Sequence, residues 1–235
     1  MNKTRIFLSG ASGRMGLAIT DYCQKAGIEI VAGLGIDKTS KNGSYPLYSS
    51  FDLVPTDLDF DVLIDFSSFA LAKDLRNFIR DRQCPAVIGT TAYSEEDEKA
   101  LHELALEVPI FRSSNMSIGV YVLNKLVKEA SRLLDGHYDV EIIEKHHRWK
   151  KDKPSGTALT LQESLGPDRS SCPIHSVRIG AIAGDHEVLF ASDEEIISLS
   201  HHAENRSVFA RGAVEAALFL KDKEPGYYTM EDLLS

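Results

Sequence analysis

The segment Thr-Arg-Ile-Phe-Leu-Ser-Gly-Ala-Ser-Gly-Arg-Met-Gly, residues 4–16, decides the fold of the first half of the chain. Residues 4–9 form an apolar pattern typical of a short strand, and residues 10–16 are a glycine-rich turn. The pattern from Leu17 to Ala26 predicts a helix that stops at Gly27. A glycine-rich turn between the first strand and the first helix is where a Rossmann fold binds the pyrophosphate of a dinucleotide.

The glycines of this turn follow the spacing GxxGxxG instead of the more usual GxGxxG. We expect Gly10 to permit the tight turn, Gly13 to let a ligand approach the backbone, and Gly16 to let helix and strand touch. The amides of the first helical turn would then face the phosphates. The predicted cofactor-binding residues here are Gly10, Ala11, Ser12, Gly13, Arg14 and Met15. The alternative is a tight turn that binds nothing.

Strand and helix patterns continue to alternate as far as residue 116, which predicts a doubly wound parallel sheet. A polar segment over 38–50 is expected to be a loop. The predicted strands are 28–34, 62–66, 86–89 and 108–111, and the predicted helices are 70–82 and 94–107, the latter with a capping box of Ser94 and Asp97.

The pattern changes after Ser117, where strands with short connections predict a second α+β domain with a mixed or antiparallel sheet. We expect residues 1–116 and 206–235 to form the dinucleotide-binding domain and residues 117–205 a substrate-binding and oligomerisation domain. The predicted elements after Ser117 are helices 120–134 and 212–220 and strands 138–144, 174–182, 187–191, 195–200 and 206–210.

Small polar residues follow three predicted strands of the first domain. Ligands of open α/β sheets lie beyond the carboxyl ends of the strands, so these residues are candidates for contacts with ribose and nicotinamide. Each short segment could equally cap a helix. They are Phe66 and Ser67 after the third strand, Gly89, Thr90 and Thr91 after the fourth, and Ser113, Ser114, Asn115 and Met116 after the fifth.

Asp37 and Lys38 lie about 20 residues beyond the glycine-rich turn, near the end of the second strand. An acidic residue there favours the unphosphorylated ribose of NADH, whereas Lys38 would tolerate the 2′-phosphate of NADPH. The two residues could also be an ordinary loop pair, and the sequence leaves the choice between NADPH and NADH open.

The run from His146 to Ala158, HHRWKKDKPSGTA, places two imidazoles, four Lys or Arg side chains and a Ser-Gly-Thr turn within thirteen residues. The chain as a whole carries a formal charge of −9, so this local basic cluster suits a small anion with several carboxylates. A histidine can donate and recover a proton near neutral pH. Ser155 is expected to cap a helix whose N-terminus would favour a carboxylate. The alternative is a solvated basic loop before a capped helix.

The composition is that of an ordinary soluble globular chain, with 43% hydrophobic and 26% charged residues among 235. No apolar run is long enough for a transmembrane helix, and we expect a cytoplasmic protein with no leader. Three scattered cysteines, Cys23, Cys84 and Cys172, argue for buried thiols in a reducing compartment. The acidic balance argues against nucleic-acid binding, and no metal site is expected. His186, His201 and His202 are interpreted as strand or surface histidines.

The motifs together resemble one family, the 4-hydroxy-tetrahydrodipicolinate reductases (dihydrodipicolinate reductases) of bacterial lysine and diaminopimelate synthesis. The resemblance covers nearly the whole chain, and the pattern HHxxKxDxPSGTA is highly specific to the family. The matching segments are GASGRMG at 10–16, IDFS at 64–67, VIGTT at 87–91, SSNMSIGV at 113–120, EIIEKHHRWKKDKPSGTAL at 141–159, VRIGAIAGDHEVLF at 177–190 and FARGAVEAALFL at 209–220.

The resemblance implies hydride transfer from NADPH or NADH to a cyclic unsaturated dicarboxylate, giving tetrahydrodipicolinate. It implies that His146 is the proton donor, that Lys150 helps to bind substrate and stabilise charge, and that His147, Gly156 and Thr157 bind a substrate carboxylate. It also implies interdomain hinges at residues 115–117 and at Arg206, and a homotetramer. The acidic composition and the short apolar runs predict no nucleic-acid and no membrane partner.

Three positions depart from the common family pattern: Ser12, Trp149 and Lys153. They leave the residues of the implied chemistry in place. Two other functions remain as alternatives. A nicotinamide oxidoreductase of the aspartate dehydrogenase type would share the glycine-rich turn but would not need HHxxKxDxPSGTA. A non-enzymatic protein that senses nucleotides or binds nucleic acid would use the basic run for binding alone.

Overall fold

The protein was analysed as a computed structural model that describes residues 3–35, 45–134 and 136–235. The chain divides into two compact units. The first unit comprises Met1–Met116 and Phe209–Ser235, and the second comprises Ser117–Val208. Asp37 and Lys38, which the sequence suggests for ribose recognition, lie outside the described residues.

The first unit is built on a sheet of seven strands that all run parallel. Its strands are β1 (Arg5–Ser9), β2 (Glu29–Leu34), β3 (Leu47–Tyr48), β4 (Val62–Asp65), β5 (Ala86–Ile88), β6 (Pro109–Arg112) and β11 (Gly226–Tyr228). Its helices are α1 (Arg14–Ala26), α2 (Ala72–Arg82), α3 (Glu95–Leu104), α6 (Ser207–Leu220, whose first two residues belong to the second unit) and α7 (Met230–Leu234). The strand order is β11-β6-β5-β4-β1-β2-β3.

The central strands β1, β4 and β5 bury successive residues, which shows that both faces of the sheet are covered. Phe7 on β1 and Leu63 on β4 are fully buried and belong to one core cluster with Leu75 and Ile79 of α2. The neighbouring strands β1, β4, β5 and β6 run in the same direction, so their carboxyl ends meet at one edge of the sheet. That edge carries the segments that the sequence suggests for cofactor contacts.

The elements of the second unit are α4 (Ile118–Leu133), β7 (Asp139–His146), α5 (Gly156–Ser164), β8 (Ile174–Arg178), β9 (Gly184–Ala191) and β10 (Ile196–Ala203). Its four strands form a mixed sheet in the order β10-β9-β7-β8. Only the β7–β8 pair is parallel. Side chains from α4 and α5 pack with one face of the sheet in a single buried cluster that includes Leu123, Val127, Leu161, Val188 and Phe190.

The predicted fold class, a doubly wound parallel sheet with a second mixed-sheet part, is confirmed. The predicted strand over 206–210 is wrong, because α6 already begins at Ser207. The Asn205 side chain accepts a 2.8 Å hydrogen bond from the Ser207 amide, which favours an early helix start. The short strands β3 and β11 and helix α7 were not predicted from the sequence, and α1 begins at Arg14, three residues before the predicted start.

Within the described ranges, no helix combines the length and apolar character needed to cross a bilayer. All three cysteines are free and buried. Burial raises the pKa of the Cys23 and Cys84 thiols to about 12 and that of Cys172 to about 11. They are therefore unreactive thiols near neutral pH, as the sequence predicts.

Candidate active site

The glycine-rich turn of the first unit ends at an uncapped helix. Gly10 has φ +82°, and a Cβ at this position would lie 2.3 Å from the carbonyl oxygen of Phe66. The Gly10 and Ala11 amides donate to the Leu34 carbonyl at 3.0 and 2.9 Å, so these residues build the turn. Gly13 is the N-cap of α1 and makes no side-chain cap. The amides that open α1, those of Arg14 and Met15, have no acceptor within the helix.

A cavity of about 280 Å³ lies beside this turn. Gly10, Ser12 and Gly13 line one side, Leu34 lines the cavity from the end of β2, and Phe66 lines it from the position after β4. The start of α1 offers backbone donors and a positive dipole end to an anion, while the cavity offers apolar walls to a flat ring. The residues present therefore fit a dinucleotide.

Strand-end residues of the first unit are held by hydrogen bonds within that unit. Thr90 Oγ1 donates to Asp65 Oδ2 at 2.5 Å, and the Thr90 carbonyl accepts from Arg112 Nη1 at 2.8 Å. Ser113 Oγ donates to the Asn115 carbonyl at 2.7 Å. Burial raises the pKa of Asp65, which is fully enclosed. These contacts fix the backbone after β5 and β6 at the same sheet edge as the glycine-rich turn.

The remaining predicted residues of this edge differ in exposure. Thr91 and Ser114 are exposed, whereas Met116 is buried. Together with Gly89 they follow the ends of β5 and β6. The structure thus gathers the predicted cofactor-binding segments of the described chain at one edge, and it describes neither Asp37 nor Lys38.

A buried polar cluster of the second unit includes His146, the last residue of β7. Its side chain is buried beside Glu144, two residues earlier on the same face of the strand. His146 Nδ1 lies 2.5 Å from Glu144 Oε2. Arg178 at the end of β8 donates from Nη1 to Glu144 Oε2 at 2.7 Å and from Nη2 to Oε1 at 2.6 Å. A buried carboxylate therefore joins the imidazole to a bidentate guanidinium.

The charges of this cluster shift the pKa values of its members. Burial alone would raise the pKa of Glu144, but hydrogen bonds from Arg178, Ser176 and His146 lower it to about 2. Burial lowers the pKa of His146, the Glu144 carboxylate opposes that effect, and the charges of Lys150 and Arg178 add to it. Glu144 is therefore an anion at neutral pH, and His146 is a stronger acid than a free imidazole.

The basic run after β7 leads away from His146 in a well-defined loop. The Lys150 amide donates to the His147 carbonyl at 3.1 Å, and Lys150 Nζ pairs with Asp152 Oδ2 at 2.7 Å. His147 is buried with its ring 5.8 Å from that of Trp149, which is 66% exposed. The lysine charge is close enough to His146 to lower its pKa. The structure thus brings His146 and Lys150 together, as the sequence suggests.

The Ser-Gly-Thr turn starts α5 next to the same cluster. Ser155 is the N-cap, and its Oγ accepts from the Ala158 amide at 3.2 Å, so the predicted cap is confirmed. The Ser155 amide donates to Glu144 Oε1 at 3.3 Å. Gly156 is exposed at the helix start, where an added Cβ would meet open space. An anion at this helix end would face the amides of the first turn of α5, which begins directly after the residue that contacts Glu144.

Three residues of this cluster were missed as functional residues in the sequence: Glu144, Arg178 and His186. His186 is buried, with its ring centroid 5.2 Å from that of His146. Residues 144 and 146 on β7 and 184 and 186 on β9 share one sheet face, and Glu144 is the register partner of His186. Polar residues at alternate positions facing a buried core were the signal that could have identified them.

A Rossmann-type sheet with an uncapped glycine-rich turn, together with a mixed-sheet unit that carries a His–Glu–Arg cluster, defines a dinucleotide-dependent oxidoreductase of two-unit architecture. Two family models cover the chain almost completely: "Dihydrodipicolinate reductase, N-terminus" over residues 4–116 and "Dihydrodipicolinate reductase, C-terminus" over residues 119–234. The chain belongs to the dihydrodipicolinate reductase family, a family of pyridine-nucleotide-dependent reductases. The family resemblance read from the sequence and the expected oxidoreductase class are confirmed.

Curated relatives agree along their whole length. The 4-hydroxy-tetrahydrodipicolinate reductase of Caldanaerobacter subterraneus subsp. tengcongensis is 41% identical over 98% of both chains. That of Zymomonas mobilis subsp. mobilis is 40% identical over 99% of this chain and 98% of its own. These relatives confirm a reductase of lysine and diaminopimelate biosynthesis.

Solved structures share the fold. Dipicolinate-bound dihydrodipicolinate reductase from Paenisporosarcina sp. TG-14 superposes with a TM-score of 0.80 at 22% identity, covering 97% of this chain and 98% of its own. Aspartate dehydrogenase from Thermotoga maritima superposes with a TM-score of 0.56 at 15% identity, covering 95% of this chain and 99% of its own. The second likeness reflects the shared architecture and gives no support to the alternative activity.

Proposed function

We propose that this protein reduces 4-hydroxy-tetrahydrodipicolinate to tetrahydrodipicolinate with NADH or NADPH, and that His146 is the proton donor. The observation that carries the proposal is the buried cluster of His146, Glu144 and Arg178 beside the N-terminus of α5, in a chain of this family. The cluster offers an acid, a neighbouring cation and a carboxylate-binding helix end in one place.

The residues that would hold the nucleotide belong to the first unit. The start of α1, with Gly13, Arg14 and Met15, would take the pyrophosphate, and the cavity beside Ser12 and Phe66 would take a flat ring. The segments 89–91 and 113–116 would contact ribose and carboxamide. When bound, the reduced nicotinamide supplies a hydride. The choice between NADH and NADPH depends in part on Asp37 and Lys38.

The substrate is a dianion, which explains a basic cluster in an acidic protein. In this proposal the start of α5, at Gly156 and Thr157, binds one carboxylate through backbone amides and a hydroxyl. Lys150 adds positive charge and His147 adds a hydrogen-bonding group at the same end of the unit. Lys150 is held in place by Asp152, and a positioned ammonium costs less to order when the substrate arrives.

His146 supplies the proton that balances the added hydride. Loss of the 4-hydroxyl group as water leaves a conjugated unsaturated ring. Addition of hydride to this ring builds negative charge on the atom that receives no hydride, and protonation of that atom completes the reaction. The imidazolium gives up its proton, and Glu144 stabilises the positive charge that His146 carries before the transfer. Lys150 lowers the cost of the developing negative charge.

The assembly and location are part of the same proposal. We infer a homotetramer formed through the second unit and a cytoplasmic protein without membrane or nucleic-acid partners. The sheet of the second unit has one face outside the buried cluster, where residues such as Ser198, Ser200 and His202 are exposed. An open sheet face of this kind is available to another subunit.

The test follows the oxidation of NADH and NADPH by the purified protein. The unstable substrate is produced in the same cuvette by the preceding synthase from pyruvate and aspartate semialdehyde. Oxidation that depends on the synthase supports the reductase, and the two rates rank the cofactors. No oxidation of either nucleotide, with nucleotide binding intact, would contradict the proposal.

A further inference from the structure

Glu144 is the point at which three segments of the second unit meet. From its own strand it contacts His146, from β8 it receives both arms of Arg178, and from the turn before α5 it receives the Ser155 amide. The carboxylate is completely buried. A buried anion is stable only with several partners, so this arrangement strongly restricts where the carboxylate can lie.

The contact between Glu144 and His146 decides which imidazole nitrogen carries the proton in the neutral ring. A carboxylate only accepts hydrogen bonds, so Nδ1 of His146 must be the donor. The neutral ring is then protonated on Nδ1 and bare on Nε2. Gly184 on β9 has no side chain beside Nε2, where a Cβ would lie 3.2 Å away. The absence of a side chain at Gly184 therefore leaves room beside Nε2, the ring nitrogen that does not contact Glu144.

We propose that Glu144, held by Arg178 and by the Ser155 amide, is a positioning residue that keeps Nδ1 of His146 protonated, so that Nε2 is the nitrogen that takes up the second proton in the imidazolium and gives it to the substrate. The inference rests on the proposed role of His146 as proton donor and adds to it the residue that orients the donor. Glu144 acts through His146 and through the start of α5, where it also fixes the Ser155 backbone.

The charged and titratable groups around His146 also affect its protonation equilibrium. Glu144 stabilises the imidazolium, whereas the charges of Lys150 and Arg178 destabilise it. His186 on β9 faces the His146 ring edge-on, and burial lowers its own pKa to about 3, so it adds no charge at neutral pH. Glu144 is therefore the group among them that opposes the lowering of the His146 pKa.

The experiment measures kcat and KM against pH for wild type, Glu144→Gln, Glu144→Asp and His146→Gln. A general acid loses activity as the pH rises above its pKa. Loss of a neighbouring opposite charge shifts a pKa by about one to three units. We expect Glu144→Gln to move the alkaline limb downward by that amount and to lower kcat about tenfold or more at a pH on that limb, with the KM for NADH unchanged. Glu144→Asp keeps the charge and should leave the limb near its wild-type position.

Glu141→Gln is the matched control. Glu141 lies on the same strand but on the other face, where its Oε2 is 2.5 Å from Nε2 of the exposed His175. This variant removes a similar Glu–His pair and should leave the pH profile unchanged. An unchanged alkaline limb in Glu144→Gln, while His146→Gln loses turnover, would overturn the positioning role alone. Full turnover in His146→Gln would instead contradict the proposed function.

A measurement on the unmodified protein keeps the inference testable if Glu144→Gln fails to fold. The ¹⁵N chemical shifts of the imidazole nitrogens distinguish the two neutral tautomers, and the His146 signals are assigned by their absence in His146→Gln. We expect the neutral His146 ring to carry its proton on Nδ1. A ring protonated on Nε2 would overturn the inference.

Discussion

Ser155 Oγ lies 3.2 Å from Nε2 of His186, and this contact joins the start of α5 to β9. The same hydroxyl accepts from the Ala158 amide, so its own proton is available for His186. His186 can accept this hydrogen bond only while it is neutral. Burial lowers the pKa of His186 to about 3, and repulsion from His146 adds to the effect. The helix cap is thus coupled to an uncharged histidine.

This coupling predicts that the protein loses stability in mild acid. The folded-state pKa of His186 lies below the usual unfolded value of about 6.5, so the unfolded chain takes up the proton first. The free energy of unfolding should fall by up to about 1.4 kcal/mol per pH unit as the pH drops from about 6.5 toward 4.5. His146 and His201, whose pKa values burial also lowers, act in the same direction. Urea unfolding at several pH values measures the slope.

His186→Gln should flatten this slope, because glutamine does not titrate. The exposed His175 is the control, and His175→Gln should keep the wild-type slope. Glu144 acts mainly at lower pH, since its contribution to stability is lost chiefly as the pH falls from its unfolded pKa of 4.5 toward its folded pKa of about 2. A slope in His186→Gln as steep as that of wild type would show that His186 does not carry the effect.

The periodicity of the sequence predicted the fold more completely than it predicted the residues around His146. The alternation of apolar strands and helices up to Met116 reflects a sheet buried on both faces, and such burial is recorded in local sequence. The start of α6 was placed too late, because Phe209 and Ala210 fit a strand as well as a helix. The two-residue strand β3 leaves no periodic signal at all.

The candidate site could be predicted only where its residues are close in sequence. His146, Lys150 and Ser155 fall within one short motif that carries its own chemistry. Arg178 and His186 reach the cluster through pairing of β8 and β9 with β7, and pairing between distant strands is set by tertiary packing. Glu144 sits inside an ordinary strand pattern, and only its complete burial reveals that it needs partners.

His146→Gln should lower kcat by about 100-fold or more, the typical contribution of general acid catalysis, while the dissociation constant for NADH stays the same. The nucleotide would be held by residues of the first unit, whereas His146 belongs to the second. Steady-state kinetics with synthase-generated substrate and fluorescence titration of NADH separate the two quantities. The exposed His137 provides the control, because His137→Gln changes a histidine of the same unit that lies outside its sheet. Equal turnover in wild type and His146→Gln would remove His146 from the acid role.

Lys150→Ala should raise the substrate KM and lower kcat, with a combined loss in kcat/KM of about 10- to 100-fold, the range for one charge-assisted hydrogen bond. The Lys150 side chain is 23% exposed and is paired with Asp152, whereas the neighbouring Lys151 is exposed. Lys151→Ala is therefore the control for loss of overall basic charge and should behave like wild type. If Lys150→Ala changed only the unfolding temperature, the lysine would serve the loop and not the substrate.

Gly10→Ala should impair nucleotide binding more than any simple loss of stability explains. Gly10 and Gly27 both have positive φ, at +82° and +70°, so alanine at either position costs about 1–2 kcal/mol of backbone strain. Only Gly10 is also confined, since its Cβ would overlap the Phe66 carbonyl, whereas a Cβ at Gly27 meets nothing within 4 Å. The overlap must displace either the glycine-rich turn or the end of β4.

We therefore expect Gly10→Ala to weaken NADH binding about tenfold or more, a loss of about 1.4 kcal/mol, and Gly27→Ala to leave it unchanged. Fluorescence titration of NADH, with urea unfolding of both variants, checks this. Equal NADH affinity in the two variants would show that the turn tolerates the displacement and that its shape does not set nucleotide binding.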